Sequence, residues 1–475
     1  MYRTYSHGVN PMNKRIYVLI IVFTAIVLSL PLISGCNSMQ ERLQTFNERF
    51  EAADFNSAAT SAQKHFDKNR KNPDNDDLLW ILQTAAAKRS FKDYNRSTKY
   101  FDKAEDFLKF YDLRWSGGDQ VAAMVVNDNV IPYQGEQYDR VMVNTYKALN
   151  FMAQGNFDLA RVEFNRALDR QRRTKEVFEK EINKEKEQLD KAQYGSLAKS
   201  TLEDPKLGQA LHDKYPELDA YKAYSNYVNP FVNYLASVYF NGTGQTSEAR
   251  DLLKETCGLV PENNSIAQEF DETEKLLAAN GTFKNTVWVI FENGVGPIRE
   301  EFRIDLPIFI ATNRVFYAGI ALPKLKYRDG AVTSLQIDSD GTIYNTSVVC
   351  NMDRVIHSEF KKDFDAALFR AIVSTTAKVV AQYALTSQGS TGANLLAMGI
   401  AAYSFMTNDA DIRIWTALPK DFQVAKMPKP QNNILKITPD NCQTFDIQLP
   451  NCNNVLVYIK IVQRNAKPVY EIIPM

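Results

Sequence analysis

The chain has 475 residues, of which 45% are hydrophobic and 11% aromatic, and its 56 lysine and arginine residues balance 56 aspartate and glutamate residues. This length predicts two or three globular domains. Because basic residues are not in excess, the charge gives no electrostatic basis for a nucleic-acid partner, and we expect none.

A lipoprotein signal peptide is the first predicted element, at residues 1–35. Lys14 and Arg15 precede an apolar run, and Ile33-Ser34-Gly35-Cys36 after it is typical of a lipobox. The basic end stays in the cytoplasm, the apolar run enters the membrane, and the small residues admit a peptidase. We therefore predict cleavage before Cys36 and its acylation, which would anchor the chain stably in a bilayer.

Two alternatives concern this segment. An uncleaved transmembrane anchor remains open, because the apolar run approaches the length that spans a bilayer. The coding start also remains open between Met1 and Met12, since Met12 is followed by a basic signal-peptide opening. Asn37 after the acylated cysteine favours the outer membrane, so we expect a cell-envelope protein that faces the periplasm.

Residues 36–280 predict paired antiparallel helices. The clearest unit runs from Tyr138 to Arg170: Gly155 lies in the turn, and Ala160, Phe164 and Ala167 follow on the second helix. Small residues at such spacing let two helices approach, and an aromatic ring fills the space beside them. The pattern is typical of a tetratricopeptide repeat.

A second unit runs from Phe231 to Pro261, with Ala249 and Leu253 on its second helix and Pro261 at its end. Weaker copies begin near Phe55 and Tyr94. Recurrence favours a tetratricopeptide-like solenoid, with an ordinary helical bundle as the alternative.

Residues 174–193 predict one long charged helix, because lysine and glutamate recur at i,i+4 spacing. We expect it to dock on a neighbouring repeat, and a partner-binding role is the alternative. Aromatic residues then crowd one stretch, where core packing competes with a sugar- or peptide-binding surface. They are Tyr221, Tyr224, Tyr227, Phe231, Tyr234 and Tyr239.

Residues 281–475 predict a mixed α+β domain, since the hydrophobic period changes near Thr282 from helical to strand-like. Asp338-Ser339-Asp340-Gly341 indicates a hairpin turn rather than a calcium loop. One long helix is expected at Glu359–Leu385 and a buried one at Leu395–Phe405. The predicted strands lie at Thr286–Phe291, Val315–Leu322, Ser334–Ile337, Ile412–Trp415, Ile434–Ile437, Phe445–Leu449 and Val455–Val462.

Two local constellations stand out in this region. Asp411, Arg413 and Trp415 alternate as on one face of a strand, where the carboxylate and guanidinium either pair locally or clamp a ligand. Cys442 and Cys452 lie close enough in sequence to predict a disulfide in an oxidising compartment.

Segments around Glu292-Asn293-Gly294 and Ala410–Pro419 resemble a family of bacterial lipoproteins that have tetratricopeptide-like helices before a C-terminal mixed domain. The resemblance covers most of the mature chain. That family has no established activity, so the resemblance implies an architecture and an envelope location, and it transfers no catalytic residues.

Catalytic signals are sparse. Histidine is the usual general base near neutral pH, and the predicted α+β domain has His357 alone, seven residues after Cys350. No cysteine-peptidase motif surrounds this pair. We therefore predict no enzyme activity, no metal site and no cofactor.

The leading hypothesis is a lipid-anchored, non-catalytic envelope protein whose helical repeats bind a partner protein or peptide, as an accessory factor in outer-membrane or cell-wall assembly. One alternative is a surface lipoprotein that binds glycans or nutrients through the Tyr221–Tyr239 cluster. Another is a cell-wall hydrolase centred on Cys350 and His357.

Overall fold

A computed structural model describes residues 38–67, 69, 71, 73–114, 132–191, 199, 201–219, 221–224, 228–311, 314–386, 410–440 and 442–475. The predicted signal peptide, Cys36 and the Leu395–Phe405 stretch lie outside these residues. The chain has two compact units, residues 1–44, of which only 38–44 are described, and residues 45–475. Among the described residues, no helix is long and apolar enough to cross a membrane.

Among the described residues, the α-helices lie before residue 279, except for one that follows the sixth strand. They are α1 Met39–Glu51, α2 Phe55–Ala62, α3 Asp77–Ser90, α4 Tyr94–Arg114, α5 Gln137–Ala153, α6 Phe157–Lys191, α7 Pro205–Lys214, α8 Pro230–Gly242, α9 Thr246–Leu259, α10 Asn264–Ala278 and α11 Met352–Thr386. Neighbours in sequence pack as pairs, α3 with α4, α5 with α6 and α8 with α9.

The α5–α6 pair shows how local sequence sets this arrangement. Gly155 in its turn has φ +72°, a left-handed conformation that glycine adopts without strain. Ala160, Phe164 and Ala167 on α6 are completely buried, and the Phe164 ring lies 5.1 Å from that of Tyr239 on α8. In the next pair, Ala249 and Leu253 are also completely buried, and Pro261 lies in the turn after α9.

Eleven strands are described. They are β1 Thr286–Asn293, β2 Ile298–Ala311, β3 Arg314–Lys326, β4 Leu335–Ser339, β5 Thr342–Asn345, β6 Ser347–Asn351, β7 Asp421–Pro428, β8 Ile434–Pro439, β9 Phe445–Gln448, β10 Asn454–Ile461 and β11 Val469–Pro474. One sheet has the order β11-β10-β1-β7-β6, a second has the order β5-β4-β8-β9, and β2 and β3 form a separate hairpin. β1 and β10 are parallel, whereas β1 and β7 are antiparallel. The mixed α+β class is therefore confirmed.

Side chains alternate between the two faces of the five-stranded sheet. This sheet is therefore the middle of three layers, with the four-stranded sheet on one face and the helices on the other. Val287, Val289 and Phe291 of β1 join an apolar core with the four-stranded sheet. The intervening side chains face the helices: Trp288 Nε1 donates to Glu269 Oε1 of α10 (2.6 Å), and Tyr146 of α5 donates to Glu292 (3.0 Å). Successive strand residues point to opposite faces, so one sheet supports both interiors.

The inner helices of the pairs are covered by the chain itself. All fourteen residues of α3 are buried, as are nearly all of α8. Phe231 of α8 stacks on Phe422 of β7 with ring centroids 3.6 Å apart, and Gln83 of α3 donates to Thr416 Oγ1 (2.8 Å). The helices before position 280 and the strands after position 281 therefore share one interior.

Several predicted elements are recovered with different bounds. Residues 174–191 belong to α6, which continues without a break from Phe157, and Phe178 is buried beneath Lys362 of α11. Helix α11 starts seven residues earlier than predicted, because Asn351 accepts from the Arg354 N–H (3.0 Å) and caps the helix there. The predicted hairpin turn is confirmed: Asp340 and Gly341 both have positive φ, as a two-residue hairpin turn requires.

The predicted strand at Ile412–Trp415 is wrong. This segment is irregular, and the Asp411 carboxylate accepts from the backbone N–H of Arg413 (3.0 Å). An aspartate that binds the backbone two residues onward offers an alternative to strand pairing.

The predicted Cys442–Cys452 disulfide is also absent, since both thiols are free in this structure. Cys442 Sγ lies 3.8 Å from Asn465, which follows β10, whereas Cys452 Sγ lies 3.3 Å from the carbonyl of Asn454, at its start. Strand β10 therefore separates them, and eight strand residues extend about 25 Å. A disulfide needs Cα atoms within about 7 Å, which proximity in sequence does not guarantee.

We expect Cys442 and Cys452 to remain reduced in the natural protein. Alkylation of denatured, unreduced protein, followed by peptide mass spectrometry, should modify both residues. Labelling that appears only after reduction would contradict the arrangement of β8, β9 and β10.

Candidate functional site

The structure places the Asp411, Arg413 and Trp415 constellation inside the protein. The Arg413 guanidinium donates two hydrogen bonds to Asp411, each 2.8 Å long, and a third to Asp76 of the α3 turn (3.2 Å). Burial alone would raise the pKa of Asp411, but the Arg413 charge lowers it. Trp415 is completely buried against Phe101 and Tyr146. These residues join α3, α4 and α5 to the strand region.

The predicted aromatic surface does not form among its described members. Tyr224, Phe231, Tyr234 and Tyr239 are buried, and Tyr221 is half-buried; Tyr227 lies outside the described residues. The Tyr234 hydroxyl donates to Glu269 Oε2 (2.8 Å). These rings pack in the interior and offer no exposed platform for a sugar.

Cys350 and His357 are engaged by other groups. Cys350 is completely buried, and burial raises the pKa of its thiol, the opposite of what an activated nucleophile requires. Both imidazole nitrogens of His357 have partners, Nδ1 with the Tyr327 hydroxyl (2.7 Å) and Nε2 with the Leu218 carbonyl (3.2 Å). The geometry gives the hydrolase alternative no support.

A group of charges that sequence reasoning missed lies on the helix-facing side of the five-stranded sheet. Glu292 of β1 accepts from Lys460 of β10 (2.5 Å), from the Tyr458 hydroxyl (2.6 Å) and from Tyr146 of α5 (3.0 Å). All four side chains are buried. Both oxygens of the Glu292 carboxylate are therefore satisfied, as burial of a charge demands.

Arg89, in the last turn of α3, extends this group towards the surface. Its guanidinium donates to Asn150 of α5 (2.7 Å) and to Glu471 of β11. The Tyr458 ring centroid lies 5.1 Å from the guanidinium carbon, within the range of a cation–π contact. Helix α3 and the edge strand β11 are thereby joined by a buried ion pair.

The group opens into a cleft, which we call the α3–β11 cleft. Its lining residues are Arg89, Ser90, Lys92, Tyr94, Glu292, Tyr458, Lys460, Val469, Tyr470 and Glu471. The space within this half-open cleft is about 20 Å³, room for about one water molecule. Phe91, which precedes Lys92 in the α3–α4 turn, is 52% exposed. An exposed aromatic side chain thus adjoins a narrow polar cleft.

A further buried ionic cluster and a buried helix cap serve the architecture. Lys147 of α5 lies between Glu105 of α4 (2.5 Å) and Glu163 of α6 (3.1 Å), which ties three helices together. At the start of α5, Glu359 of α11 accepts from the backbone N–H groups of Gln137 (2.9 Å) and Tyr138 (3.0 Å). A carboxylate is favourable at a helix N-terminus because the free N–H groups and the helix dipole are positive there.

Asp139, in the first turn of α5, should make stability depend on pH. Burial raises its pKa from 3.8 to about 7, although hydrogen bonds from Tyr133 (2.5 Å) and the Glu136 N–H (3.0 Å) oppose the rise. Between about pH 4 and pH 7 the unfolded chain ionises this group while the folded protein keeps it protonated. The contribution of Asp139 to the free energy of unfolding is therefore complete below pH 4. It falls by about 1.4 kcal/mol per pH unit up to pH 7.

We expect Asp139→Asn to flatten this dependence. Urea unfolding at pH 5 and pH 7 should show a smaller difference in the free energy of unfolding for the variant than for the parent. Equal differences would contradict the raised pKa. The parent is the necessary reference, because burial also raises the pKa of Asp421, to about 6.

Comparisons with known proteins supply no further assignment: no family model matches the chain, and neither curated proteins nor solved structures give a match.

The sequence does contain a signal for the α3–β11 cleft. Glu292 and Lys460 interrupt the otherwise apolar runs of β1 and β10, and a charge inside a buried strand needs a partner.

Proposed function

We propose that this protein is a lipid-anchored, non-catalytic protein of the bacterial envelope that binds a partner protein or peptide. The lipobox at Cys36 supports the anchor, and the paired helices support a tetratricopeptide-like array. An accessory role in outer-membrane or cell-wall assembly fits this combination. Repeat arrays bind partners through extended surfaces.

The inner face of the array is a poor binding surface in this protein. Helices α3, α5 and α8 are buried against the strands and the Trp415 segment of the same chain. A partner would have to displace that packing, including the Phe231–Phe422 stack. We therefore place the partner on the outside of the array.

The observation that carries the proposal is the exposed Phe91 beside the α3–β11 cleft. The side chains that line this cleft include Arg89, Tyr94 and Tyr470. Aromatic residues and arginine are enriched at the positions that dominate binding energy in protein interfaces. The turn between α3 and α4 therefore presents one exposed aromatic side chain, Phe91, next to a cleft that is lined by the half-buried Tyr94 and Tyr470.

Photocrosslinking in the native envelope tests this placement. A photoreactive phenylalanine analogue at Phe91 should give one dominant crosslinked product. Ile343, in the β4–β5 hairpin, is 48% exposed against 52% for Phe91 and is the matched control position. A product at both positions, or at neither, would count against the α3–α4 turn as the binding surface.

A further inference from the structure

Strand β11 forms one edge of the five-stranded sheet and is hydrogen-bonded to β10 on its inner side. The pairing is antiparallel, and just beyond the end of β11, Asn454 and Met475 exchange both backbone hydrogen bonds (2.8 and 3.4 Å). In an antiparallel ladder this exchange recurs at every second residue. The N–H and C=O groups of Tyr470 and Ile472, which lie between the exchanging residues, therefore point away from β10.

These four outward-facing backbone groups are unpaired. Among the residues that the structure describes, none forms a hydrogen bond with the N–H or C=O of Tyr470 or Ile472. Both side chains are half-buried and the following Pro474 is exposed, so the edge lies at the surface of the protein. An unpaired strand edge at a surface is a template for the backbone of another strand.

The other edges of the two larger sheets are covered or short. At β6, the opposite edge of the same sheet, the Val348 carbonyl accepts from Asn263 (2.8 Å), and the Asn351 N–H donates to the Tyr224 hydroxyl (3.0 Å). The edges of the four-stranded sheet, β5 and β9, have four residues each, against six in β11. Short edge strands and covered backbone groups prevent pairing with another chain. Strand β11 has neither form of protection.

The open edge adjoins the turn at which the partner is placed. The Lys92 ammonium of the α3–α4 turn lies 5.3 Å from the Tyr470 ring centroid. Lys92 directly follows the exposed Phe91. A segment that lies along β11 would therefore also pass the α3–α4 turn.

The side chains of β11 indicate where such a segment carries apolar residues. Tyr470 and Ile472 pack against the apolar core between the two larger sheets, whereas Glu471 pairs with Arg89 of α3 on the helix-facing side. Residues that lie opposite each other in neighbouring strands have their side chains on the same face. Apolar residues at alternate positions of the added segment would therefore extend the layer formed by Tyr470 and Ile472.

The charges at this edge favour acidic residues at the intervening positions. Three cations and two carboxylates line the α3–β11 cleft, so one positive charge is in excess. Arg89 pairs with Glu471, and Lys460 pairs with Glu292. Lys92 forms no ion pair with a described residue, and its side chain is exposed. Lys92 therefore supplies the positive charge that an acidic side chain would meet.

We propose that a segment of the partner with alternating apolar and acidic residues adds to the β11 edge as a further strand, bonded to the backbone of Tyr470 and Ile472 and paired with Lys92. This pairing rests on the proposed function and names the chemistry of the partner segment. In strand addition, main-chain hydrogen bonds supply affinity and alternate side chains supply specificity.

Calorimetric titration of the purified full chain with synthetic peptides tests the backbone pairing. The probe is acetyl-Thr-Val-Glu-Val-Glu-Val-Thr-amide, and two derivatives are N-methylated, one at the valines and one at the glutamates. A strand presents one alternate set of N–H groups to its neighbour, so one derivative should lose at least about tenfold in affinity while the other retains it. No binding of the parent peptide, or equal effects of the two methylations, would overturn the proposal.

A peptide with lysine in place of both glutamates tests the charge. It should bind about tenfold more weakly than the glutamate peptide, because like charges meet at Lys92. Lys92→Gln should remove most of this difference, whereas Lys99→Gln, at an exposed position on α4, should leave it unchanged. A lysine peptide that binds the parent protein as tightly as the glutamate peptide would overturn the acidic assignment.

Proline substitutions locate the added strand. Ile472→Pro removes an outward N–H that β10 does not use, and it should abolish binding of the glutamate peptide. Asp446→Pro is the control, because its N–H likewise points away from the neighbouring strand, at the β9 edge, and binding should be unchanged. Equal binding by both variants would place the peptide elsewhere and overturn the proposal. If Ile472→Pro fails to fold, the methylated peptides decide.

The two proposals fail in different ways. A crosslink at Phe91, combined with no affinity for the glutamate peptide, would preserve the proposed function and overturn strand addition. Binding of the glutamate peptide that depends on Lys92, without any crosslink at Phe91, would support strand addition and overturn the placement of the partner at Phe91.

Discussion

Replacing Trp415 by alanine should lower the free energy of unfolding by about 3–5 kcal/mol. Its indole is completely buried between the helices and the strand region, with the rings of Phe101 and Tyr146 at 6.0 and 5.9 Å. Truncation removes a large apolar surface and leaves a cavity that flanking helices cannot close. Urea unfolding followed by far-ultraviolet circular dichroism measures the loss.

Ile343→Ala is the control for this prediction, because the side chain is 48% exposed and its truncation should change stability by less than about 0.5 kcal/mol. A Trp415→Ala variant as stable as this control would mean that Trp415 is not enclosed by α4 and α5. The helices would then not pack on the strand region as described.

Lys460→Met should have the second large effect, a loss of about 3–5 kcal/mol. Lys460 and Glu292 are both buried, so removal of the lysine leaves a carboxylate inside the protein with hydroxyl donors from Tyr146 and Tyr458 but no cation bonded to it. The double variant Glu292→Gln with Lys460→Met removes both charges and should recover most of the loss.

A double-mutant cycle measured by urea unfolding tests this pair. The exposed Arg173–Asp169 pair on α6 is the control, and Arg173→Met should cost less than about 1 kcal/mol. If the double variant is no more stable than Lys460→Met alone, the two charges do not balance each other as the structure indicates.

Local sequence patterns predicted much of the secondary structure. Helical spacing located the α5–α6 and α8–α9 pairs, and strand-like runs located β1, β8, β9 and β10, because these elements bury one face or both. The α11 start was missed, since Asn351 acts through a cap and not through periodicity. The strand predicted at Ile412–Trp415 failed because the Asp411 side chain binds the local backbone instead.

The α3–β11 cleft could not be predicted from such patterns. Arg89 and Glu471 are 382 positions apart in sequence, and their meeting depends on how α3 packs against the edge of the five-stranded sheet. The predicted disulfide failed for the same reason. The segment from Cys442 to Cys452 includes the extended strand β9, which keeps the two cysteines apart. Pairing of distant groups follows from topology, which one sequence does not reveal.

The inner face of the helices is filled by the chain itself, and in the proposed arrangement a partner binds outside, at the α3–α4 turn. Hydrogen–deuterium exchange of the full chain, with and without its crosslinked partner, tests this most directly. We predict new protection at residues 88–94 and 469–474, and no change in α5 and α8, which the sheet already protects. Altered exchange along α5 and α8 instead, with exposure of β1 and β7, would show that the partner displaces the sheet and would contradict the account.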